Sequence, residues 1–265
     1  MHAFEYHRPS NVKDAVALVL NKEEGRYLAG GQSLVQAMKL RLSSPTDLID
    51  LNAIGDLKAL KAESNAVTIG AMVRHAEVAA SSGVRKAIPA LAALAGIIGD
   101  RQVRHMGTIG GSLANNDPAA DYPAAVLGLG ATIVTSKRRI EADKFFKGLY
   151  ETVLEPGELI TAVAFPVPKR AAYMKFKNPA SRFAIVGVFV ADFGGKVRVG
   201  VTGAGPCAFR QADMEKALAA KFAPESVASI KVKADGLNND LHASPEYRAH
   251  LITVMAKRAV EAALK

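Results

Sequence analysis

The sequence has only one cysteine, Cys207, among its 265 residues. A single thiol cannot form an intramolecular disulfide, and it cannot supply the several cysteine ligands that an iron–sulfur cluster needs. The chain is therefore predicted to be neither a disulfide-rich scaffold nor itself an iron–sulfur protein. Cys207 follows a short glycine-containing segment and is interpreted as a small buried residue, not as a nucleophile.

Long apolar runs are also missing. No run approaches the roughly 18–20 residues that would span a bilayer, and residues 1–9 lack the basic region and apolar stretch of a secretory signal. These absences predict a cytoplasmic protein, or one that reaches the inner face of a membrane only through a complex. Hydrophobic residues make up 49% of the chain and charged residues 22%, as in globular proteins. The length suits two modest domains or one large one.

Several catalytic and metal-binding signatures are absent. The six histidines include no pair at metal-ligand spacing, which argues against a zinc or di-iron site. There is no P-loop motif, and Gly128-Leu-Gly130 leads into a predicted strand instead of the helix that a Rossmann turn requires. Gly110-Gly-Ser-Leu-Ala114 approaches the nucleophile elbow of hydrolases, but alanine replaces its last glycine. A hydrolase therefore remains an alternative that lacks its sequence context.

The net charge of +9 is compatible with a nucleic acid, a phosphate-rich ligand or an acidic protein partner. The basic residues are scattered along the chain, and the densest short run, Lys137-Arg-Arg139, is typical of a turn. Because no basic patch is evident, we do not expect nucleic-acid binding.

Two segments carry adjacent glycines beside hydroxyl side chains: Ala29-Gly-Gly-Gln-Ser33 and Gly107-Thr-Ile-Gly-Gly-Ser112. Adjacent glycines let the main chain turn sharply, which brings successive N–H groups to one side. Such a set of donors binds anions, and the first segment also opens a helix whose positive end favours phosphate. Two such sites, with hydroxyl donors from Ser33, Thr108 and Ser112, suit a diphosphate. Gly-Gly pairs are also common in ordinary turns, so spacing alone leaves both interpretations open.

Two aspartates follow the second glycine pair. An aspartate at Asp117 or Asp121 can accept hydrogen bonds from ribose hydroxyls, as acidic residues do in dinucleotide sites. The structural alternative makes Asp117-Pro118 a turn and Asp121 the cap of a helix after Pro123. We favour the ribose role for Asp121.

The pattern along the chain predicts a mixture of helices and strands. The predicted helices cover residues 12–19, capped by Ser10, then 34–42, 90–98, 213–221, 224–231 and 245–265, the last with Ser244 as N-cap and Pro245 at its first position. The predicted strands cover residues 26–29, 48–51, 57–62, 67–70, 131–135, 140–142, 159–165, 173–176, 184–191 and 196–202. Residues 107–123 are predicted to form a loop. Pro166 and Pro168 mark the expected domain boundary.

The glycine segments and their flanks resemble the flavoprotein (medium) subunit of the molybdenum hydroxylases. That family includes carbon monoxide dehydrogenases, xanthine dehydrogenases and related aldehyde and heteroaromatic hydroxylases. The resemblance spans almost the whole chain and rests on these segments: Ala29-Gly-Gly-Gln-Ser-Leu34, residues 38–42, 48–51, 69–71, 104–123, 155–160, 184–190 and 246–251.

The resemblance implies an α+β fold. It implies an FAD-binding domain of the vanillyl-alcohol-oxidase-like (PCMH) type at residues 1–168, with subdomains at about 1–52 and 53–168 and FAD between them. A smaller C-terminal domain, residues 169–265, would contain a three-stranded sheet with helices.

The resemblance also implies a set of cofactor-binding residues and no catalytic or metal-binding residue. These are Ala29, Gly30, Gly31, Gln32, Ser33, Leu34, Thr108, Ile109, Gly110, Gly111, Ser112, Asn115, Asp117, Asp121, Lys175 and Phe183. Main-chain N–H groups and hydroxyls of both glycine segments would hold the pyrophosphate. Lys175 matches a lysine near the isoalloxazine ring, where its charge would stabilise the anionic reduced flavin. Phe183 stands where many relatives have a tyrosine or an aliphatic residue, and Lys177-Asn-Pro-Ala180 departs from the basic run of the family.

The function implied is that of an electron relay. A large partner subunit with a molybdenum-pterin cofactor would oxidise the substrate, and a small partner subunit with two [2Fe–2S] clusters would pass electrons to FAD in this chain. The acceptor would be NAD, a quinone, a cytochrome or oxygen, and the assembly a dimer of heterotrimers. The rival interpretations are a non-catalytic scaffold, whose glycine segments are only turns, and a self-sufficient FAD oxidase.

Overall fold

The computed structural model describes residues 1–265 and contains four β-sheets and eleven α-helices. None of its helices combines the length and hydrophobicity that a membrane crossing requires.

The N-terminal unit is a three-stranded parallel sheet with two helices. Its elements are β1 (Glu5–His7), α1 (Val12–Leu20), β2 (Gly25–Leu28), α2 (Leu34–Lys39) and β3 (Asp47–Asp50). The strand order is β1-β3-β2, so β3 lies in the centre and is buried along its length. The N-cap of α1 is Asn11 and not Ser10, because the Asn11 side chain accepts from the Asp14 N–H at 2.9 Å. Helix α2 ends at Lys39, earlier than expected, because Arg41 has a positive φ of 59°.

A second unit follows around a five-stranded antiparallel sheet. Its elements are β4 (Leu60–Ala62), β5 (Ala66–Gly70), α3 (His75–Ala80), α4 (Ser82–Ala87), α5 (Pro89–Gly96), α6 (Arg101–Met106), α7 (Ile109–Asn115), α8 (Tyr122–Leu129), β6 (Thr132–Thr135), β7 (Arg139–Glu141), β8 (Phe146–Gly148), β9 (Glu151–Thr152) and β10 (Ile160–Pro166). The sheet order is β4-β5-β10-β6-β7, and β8 and β9 form a separate hairpin. Helix α8 is buried on all sides, which explains its uniformly apolar sequence.

The predicted loop at residues 107–123 is wrong, since it contains α7 and the start of α8. Two glycines in the first turn disfavour a helix on propensity alone. Tertiary contact overrides that propensity: a Cβ added at Gly110 would lie 2.6 Å from the Ala71 Cβ, so only glycine allows this packing. Helices α3, α4 and α6 were not anticipated either.

The C-terminal unit is a sheet packed between helices. Its elements are β11 (Arg170–Lys177), β12 (Ala184–Asp192), β13 (Val197–Thr202), β14 (Phe209–Arg210), α9 (Ala212–Ala220), α10 (Glu225–Ala228) and α11 (Pro245–Ala263). The expected three strands are joined by a fourth, β14, of two residues, in the order β11-β12-β13-β14. Ser244 caps α11 by accepting from the Tyr247 N–H at 3.3 Å, as predicted.

Strand β12 is buried on both faces and joins two apolar cores. Val188 and Val190 pack in the core that includes α11, whereas Phe189 and Ala191 pack in the core that includes α8. This sandwiched strand explains why its sequence is a continuous apolar run and not an alternating one.

A close backbone contact joins α8 to this sheet. A Cβ added at Gly200 would lie 2.2 Å from the carbonyl oxygen of Ala124, a separation that no real Cβ tolerates. Helix α8, which lies between β5 and β6 in the chain, is therefore fixed against the C-terminal sheet at this point.

The substitution Gly200→Ala should lower the free energy of unfolding by about 2 kcal/mol or more, because the methyl group forces α8 away from β13. Gly55→Ala is the matched control, since a Cβ at Gly55 meets nothing within 4 Å, and its effect should stay within about 1 kcal/mol. Urea unfolding of the full-length chain measures both. Equal midpoints for the two variants would show that the contact is not tight.

Candidate cofactor site

A cavity of about 590 Å³ lies where the first glycine segment meets the second. Its size falls within the roughly 300–1,000 Å³ of ligand pockets. The two segments touch at Gly30, where an added Cβ would lie 2.1 Å from the carbonyl oxygen of Met106. The cavity is lined by every predicted cofactor-binding residue except Ile109 and Lys175.

The first segment presents unpaired main-chain donors to the cavity. Gly31 has a φ of +70°, which reverses the chain after β2. None of the five N–H groups from Gly30 to Leu34 donates a hydrogen bond within the chain, although all five residues line the cavity. Main-chain N–H groups without a partner are rare in folded proteins unless water or a ligand accepts from them. The segment therefore has the donor chemistry of an anion site.

The second segment forms the first turn of α7, and most of its N–H groups are already bonded. Thr108 Oγ1 accepts from the Gly111 N–H at 3.2 Å and so caps the helix. Three more donate to carbonyl oxygens: Ile109 to Val73 at 3.2 Å, Gly110 to Ala71 at 2.9 Å and Ser112 to Thr108 at 3.0 Å. Main-chain donors were expected from both segments, but the first segment supplies most of the free N–H groups. In the second segment, the hydroxyls of Thr108 and Ser112 can still donate to a ligand.

Asp117 was considered either as a ribose acceptor or as a turn residue, and its position is compatible with both. Its Oδ1 accepts from the Ala119 N–H at 2.8 Å, as in an Asx turn, and the residue still lines the cavity. The Tyr150 hydroxyl lies 3.4 Å from its second oxygen. Asn115 lines the same part of the cavity from the last turn of α7.

Asp121 precedes α8 but its side chain makes no capping bond. The buried carboxylate instead accepts from the Tyr173 hydroxyl at 2.6 Å and lies 3.0 Å from the Lys175 ammonium. Burial raises the pKa of Asp121, against the opposing effects of the Lys175 charge and of both hydrogen bonds. Lys175 is thus a buried, ion-paired residue and not a surface lysine. It does not itself line the cavity but lies behind the lining residue Asp121.

Phe183 is 49% exposed and contributes an aromatic ring to the cavity mouth. It ends a tight loop between β11 and β12, in which Asn178 Oδ1 accepts from the N–H groups of Ala180 and Ser181 at 2.9 and 3.2 Å. Arg182, the residue before it, has a positive φ of 63°.

Several lining residues were not anticipated. His75 is buried, its ring lies 5.3 Å from that of Tyr122, and its Nδ1 has no partner. Burial, and then the nearby charge of Arg104, lowers the pKa of His75 to about 4. His75 is the first residue of α3. The sequence analysis did not predict this helix, so it did not single out His75.

Two polar side chains hold cavity-lining segments in place. Asn116, in the left-handed conformation at the end of α7, donates to the carbonyl oxygens of Gly148 and Glu151 at 2.8 Å each, which fixes the hairpin that carries Tyr150.

Glu158 lines the cavity and is buried, and burial alone would raise its pKa. Hydrogen bonds from Arg138, from the Glu155 N–H and from Thr135, together with the charge of Arg138, instead lower the pKa of Glu158 to about 2.

The residues present fit FAD. The unpaired N–H groups of the first segment and the two hydroxyls of the second suit a diphosphate, and apolar side chains such as Ile98, Leu154 and Phe183 offer surfaces for flat rings. FAD supplies both a diphosphate and two ring systems.

Known proteins are similar to this chain in sequence and in fold. The family described as the FAD binding domain in molybdopterin dehydrogenase matches residues 2–168. The carbon monoxide dehydrogenase medium chain of Afipia carboxidovorans is 36% identical over 98% of this chain and 96% of its own length. The nicotine 6-hydroxylase medium subunit of Paenarthrobacter nicotinovorans is 35% identical over 97% of this chain and 96% of its own length.

A solved structure gives the same result. Carbon monoxide dehydrogenase from Hydrogenophaga pseudoflava, in a form that lacks the Mo-pyranopterin moiety of the molybdenum cofactor, matches with a TM-score of 0.90 at 36% identity, covering 99% of this chain and 98% of that chain. Fold and cavity together define an α+β FAD-binding protein of the PCMH type. The chain belongs to the FAD-binding medium subunits of the molybdenum hydroxylases, and it is accordingly a component of an oxidoreductase.

The lowered pKa of His75 predicts a pH-dependent stability. The unfolded chain binds this proton more readily than the folded one, so the stabilisation is present above pH 6.5 and is lost as the pH falls to about 4. The loss attributable to His75 amounts to roughly 3 kcal/mol over this window. Unfolding free energies measured across the window should fall less steeply for His75→Gln than for the wild type. The exposed His105→Gln variant is the control, and a wild-type slope in His75→Gln would refute the assignment.

Proposed function

We propose that this chain holds FAD as an electron relay, taking electrons from [2Fe–2S] clusters of a partner subunit and passing them to an external acceptor. The observation that carries the proposal is a row of five residues, Gly30 to Leu34, that line a cavity and whose N–H groups have no partner within the chain, in a protein of this family. FAD accepts electrons singly and releases them as a pair, so it couples one-electron clusters to two-electron acceptors.

The diphosphate of FAD binds to the first segment in this proposal. The N–H groups of residues 30–34 donate to its oxygens, and the hydroxyls of Ser33, Thr108 and Ser112 add further donors. Ala29, Gln32 and Leu34 shape the same wall from the first segment, and Ile109, Gly110 and Gly111 position the second. A phosphate held mainly by main-chain donors makes binding tolerant of side-chain change but intolerant of any added Cβ at Gly30.

The ribose and ring positions complete the proposal. Asp121 keeps unused lone pairs beyond its two partners, so it can still accept from a ribose hydroxyl, with Asn115 and Asp117 nearby on the same wall. The isoalloxazine ring lies against Phe183, and the charge of Lys175 acts on it from behind the wall.

The cavity lining supports the proposed domain division. One wall comes from residues 26–34 with Leu51 and the other from residues 71–160, which is the arrangement expected for FAD lying between subdomains at about 1–52 and 53–168. Residues 169–265 form the C-terminal domain and reach the cavity through residues 181–183.

The partners follow from the relatives. The similar proteins are called medium chain and medium subunit, which implies a larger and a smaller companion. We assign the molybdenum-pterin cofactor to the large subunit and the two [2Fe–2S] clusters to the small one, in a dimer of heterotrimers. Since this chain has a single cysteine, the clusters have to be held elsewhere.

The first test is the visible spectrum of the complex purified with its neighbouring subunits, followed by denaturation and identification of the released nucleotide. We expect one FAD per copy of this chain, bleached by dithionite or by the substrate of the complex. A complex without flavin would favour the scaffold alternative, and FMN in place of FAD would exclude the diphosphate assignment.

The second test is Gly30→Ala in the same complex. The added methyl group meets the Met106 carbonyl oxygen at 2.1 Å, so the two segments separate and FAD affinity falls, by about a hundredfold or more. Gly55→Ala, whose Cβ meets nothing within 4 Å, should bind FAD like the wild type. Titration of the deflavinated complex with FAD measures both, and undiminished affinity in Gly30→Ala would contradict the site.

A further inference from the structure

The Lys175 ammonium lies at the meeting point of three chain segments. Its Nζ donates to the carbonyl oxygens of Ile97 at 3.0 Å and Arg182 at 3.1 Å, and it lies 3.0 Å from the carboxylate of Asp121. The side chains of Lys175 and Asp121 are 2% and 3% exposed. An ammonium has three donors, so these three acceptors use all of them.

Each of the three acceptors belongs to the wall of the cavity or adjoins it. Ile97 directly precedes the lining residue Ile98, and Arg182 lines the cavity itself just before Phe183. Asp121 lines the cavity at the start of α8. One buried group therefore joins parts of the wall that are far apart in sequence.

We propose that Lys175 is a positioning residue that clasps Ile97, Asp121 and Arg182 together and so holds the ring-binding end of the FAD cavity in shape. This inference rests on the proposed function for the identity of the ligand, but not for the clasp itself. Asp121 compensates the charge of Lys175, so the larger part of its effect on FAD is exerted through the positions of Ile98 and Phe183.

The geometry of the loop before β12 shows why the clasp is needed. Arg182 has a positive φ, which non-glycine residues disfavour, and its N–H donates to the Asn178 carbonyl oxygen at 2.9 Å. Without Lys175, the carbonyl oxygens of Ile97 and Arg182 lose their buried partner, and the strained loop is free to relax.

Hydrogen exchange of the full-length chain tests the clasp directly. Lys175→Met should raise the exchange of residues 178–183 by about tenfold, since a charge-assisted bond to the loop is lost, while residues 186–190 of β12 stay protected as an internal control. Because that variant leaves the Asp121 carboxylate buried and unpaired, the double variant Asp121→Asn, Lys175→Met keeps the test valid if the single variant does not fold. Unchanged exchange in the loop of a folded variant would overturn the proposal.

A double-mutant cycle on FAD affinity in the assembled complex tests the route of the effect. Lys175→Met should weaken FAD binding by about tenfold in the wild-type background, and by much less in a Phe183→Ala background, because the wall residue it positions is gone. The visible circular dichroism of bound flavin should change in Lys175→Met. Additive effects with an unchanged spectrum would overturn the proposal. A wild-type complex that binds no FAD would reject the proposed function, while the exchange result would still decide the clasp.

Discussion

The contact of Gly30 with the Met106 carbonyl oxygen is the constraint on which the cavity depends. At this point two backbones come closer than any side chain would permit, and the contact joins the N-terminal unit to the end of α6. The residues of the first segment line the cavity, and the N–H groups from Gly30 to Leu34 find no partner within the chain. The second segment lies against the first, and most of its own N–H groups are already bonded within the chain.

Ion pairs that contain a buried carboxylate hold further parts of the wall. Lys175 with Asp121 joins three segments, and Arg138 with Glu158 fixes the turn before β10. Each pair is surrounded by hydrogen-bond partners, which is the condition under which a buried charge is tolerated. Removing one partner would leave the other uncompensated, so these pairs define the shape of the cavity more than they add to net stability. Both ion pairs lie beside segments of irregular backbone, where no sheet or helix holds the chain.

This chain contains what an FAD-binding component needs. It has a cavity suited to a diphosphate with flat rings, and it has the cores needed to hold three units together. The relatives act on molecules as different as carbon monoxide and nicotine according to their names, yet they resemble this chain equally well. FAD-binding subunits of one family thus accompany enzymes with different substrates, as expected if the subunit does not itself contact the substrate.

The sequence alone determined the glycine segments, the absence of common nucleotide motifs and the capping of α11 by Ser244, because each of these depends on local chemistry or short spacing. The α+β class followed from a resemblance to a known family that spans almost the whole chain. Only the tertiary structure decided that Gly110 and Gly111 lie in a helix, since the contact of Gly110 with Ala71 comes from a distant part of the chain. It also decided that the free donors belong to one segment, and that Lys175 is buried against Asp121 and not exposed on a strand. These contacts join residues that are far apart in the chain, such as Lys175 and Asp121, and such pairings leave no signal in local sequence.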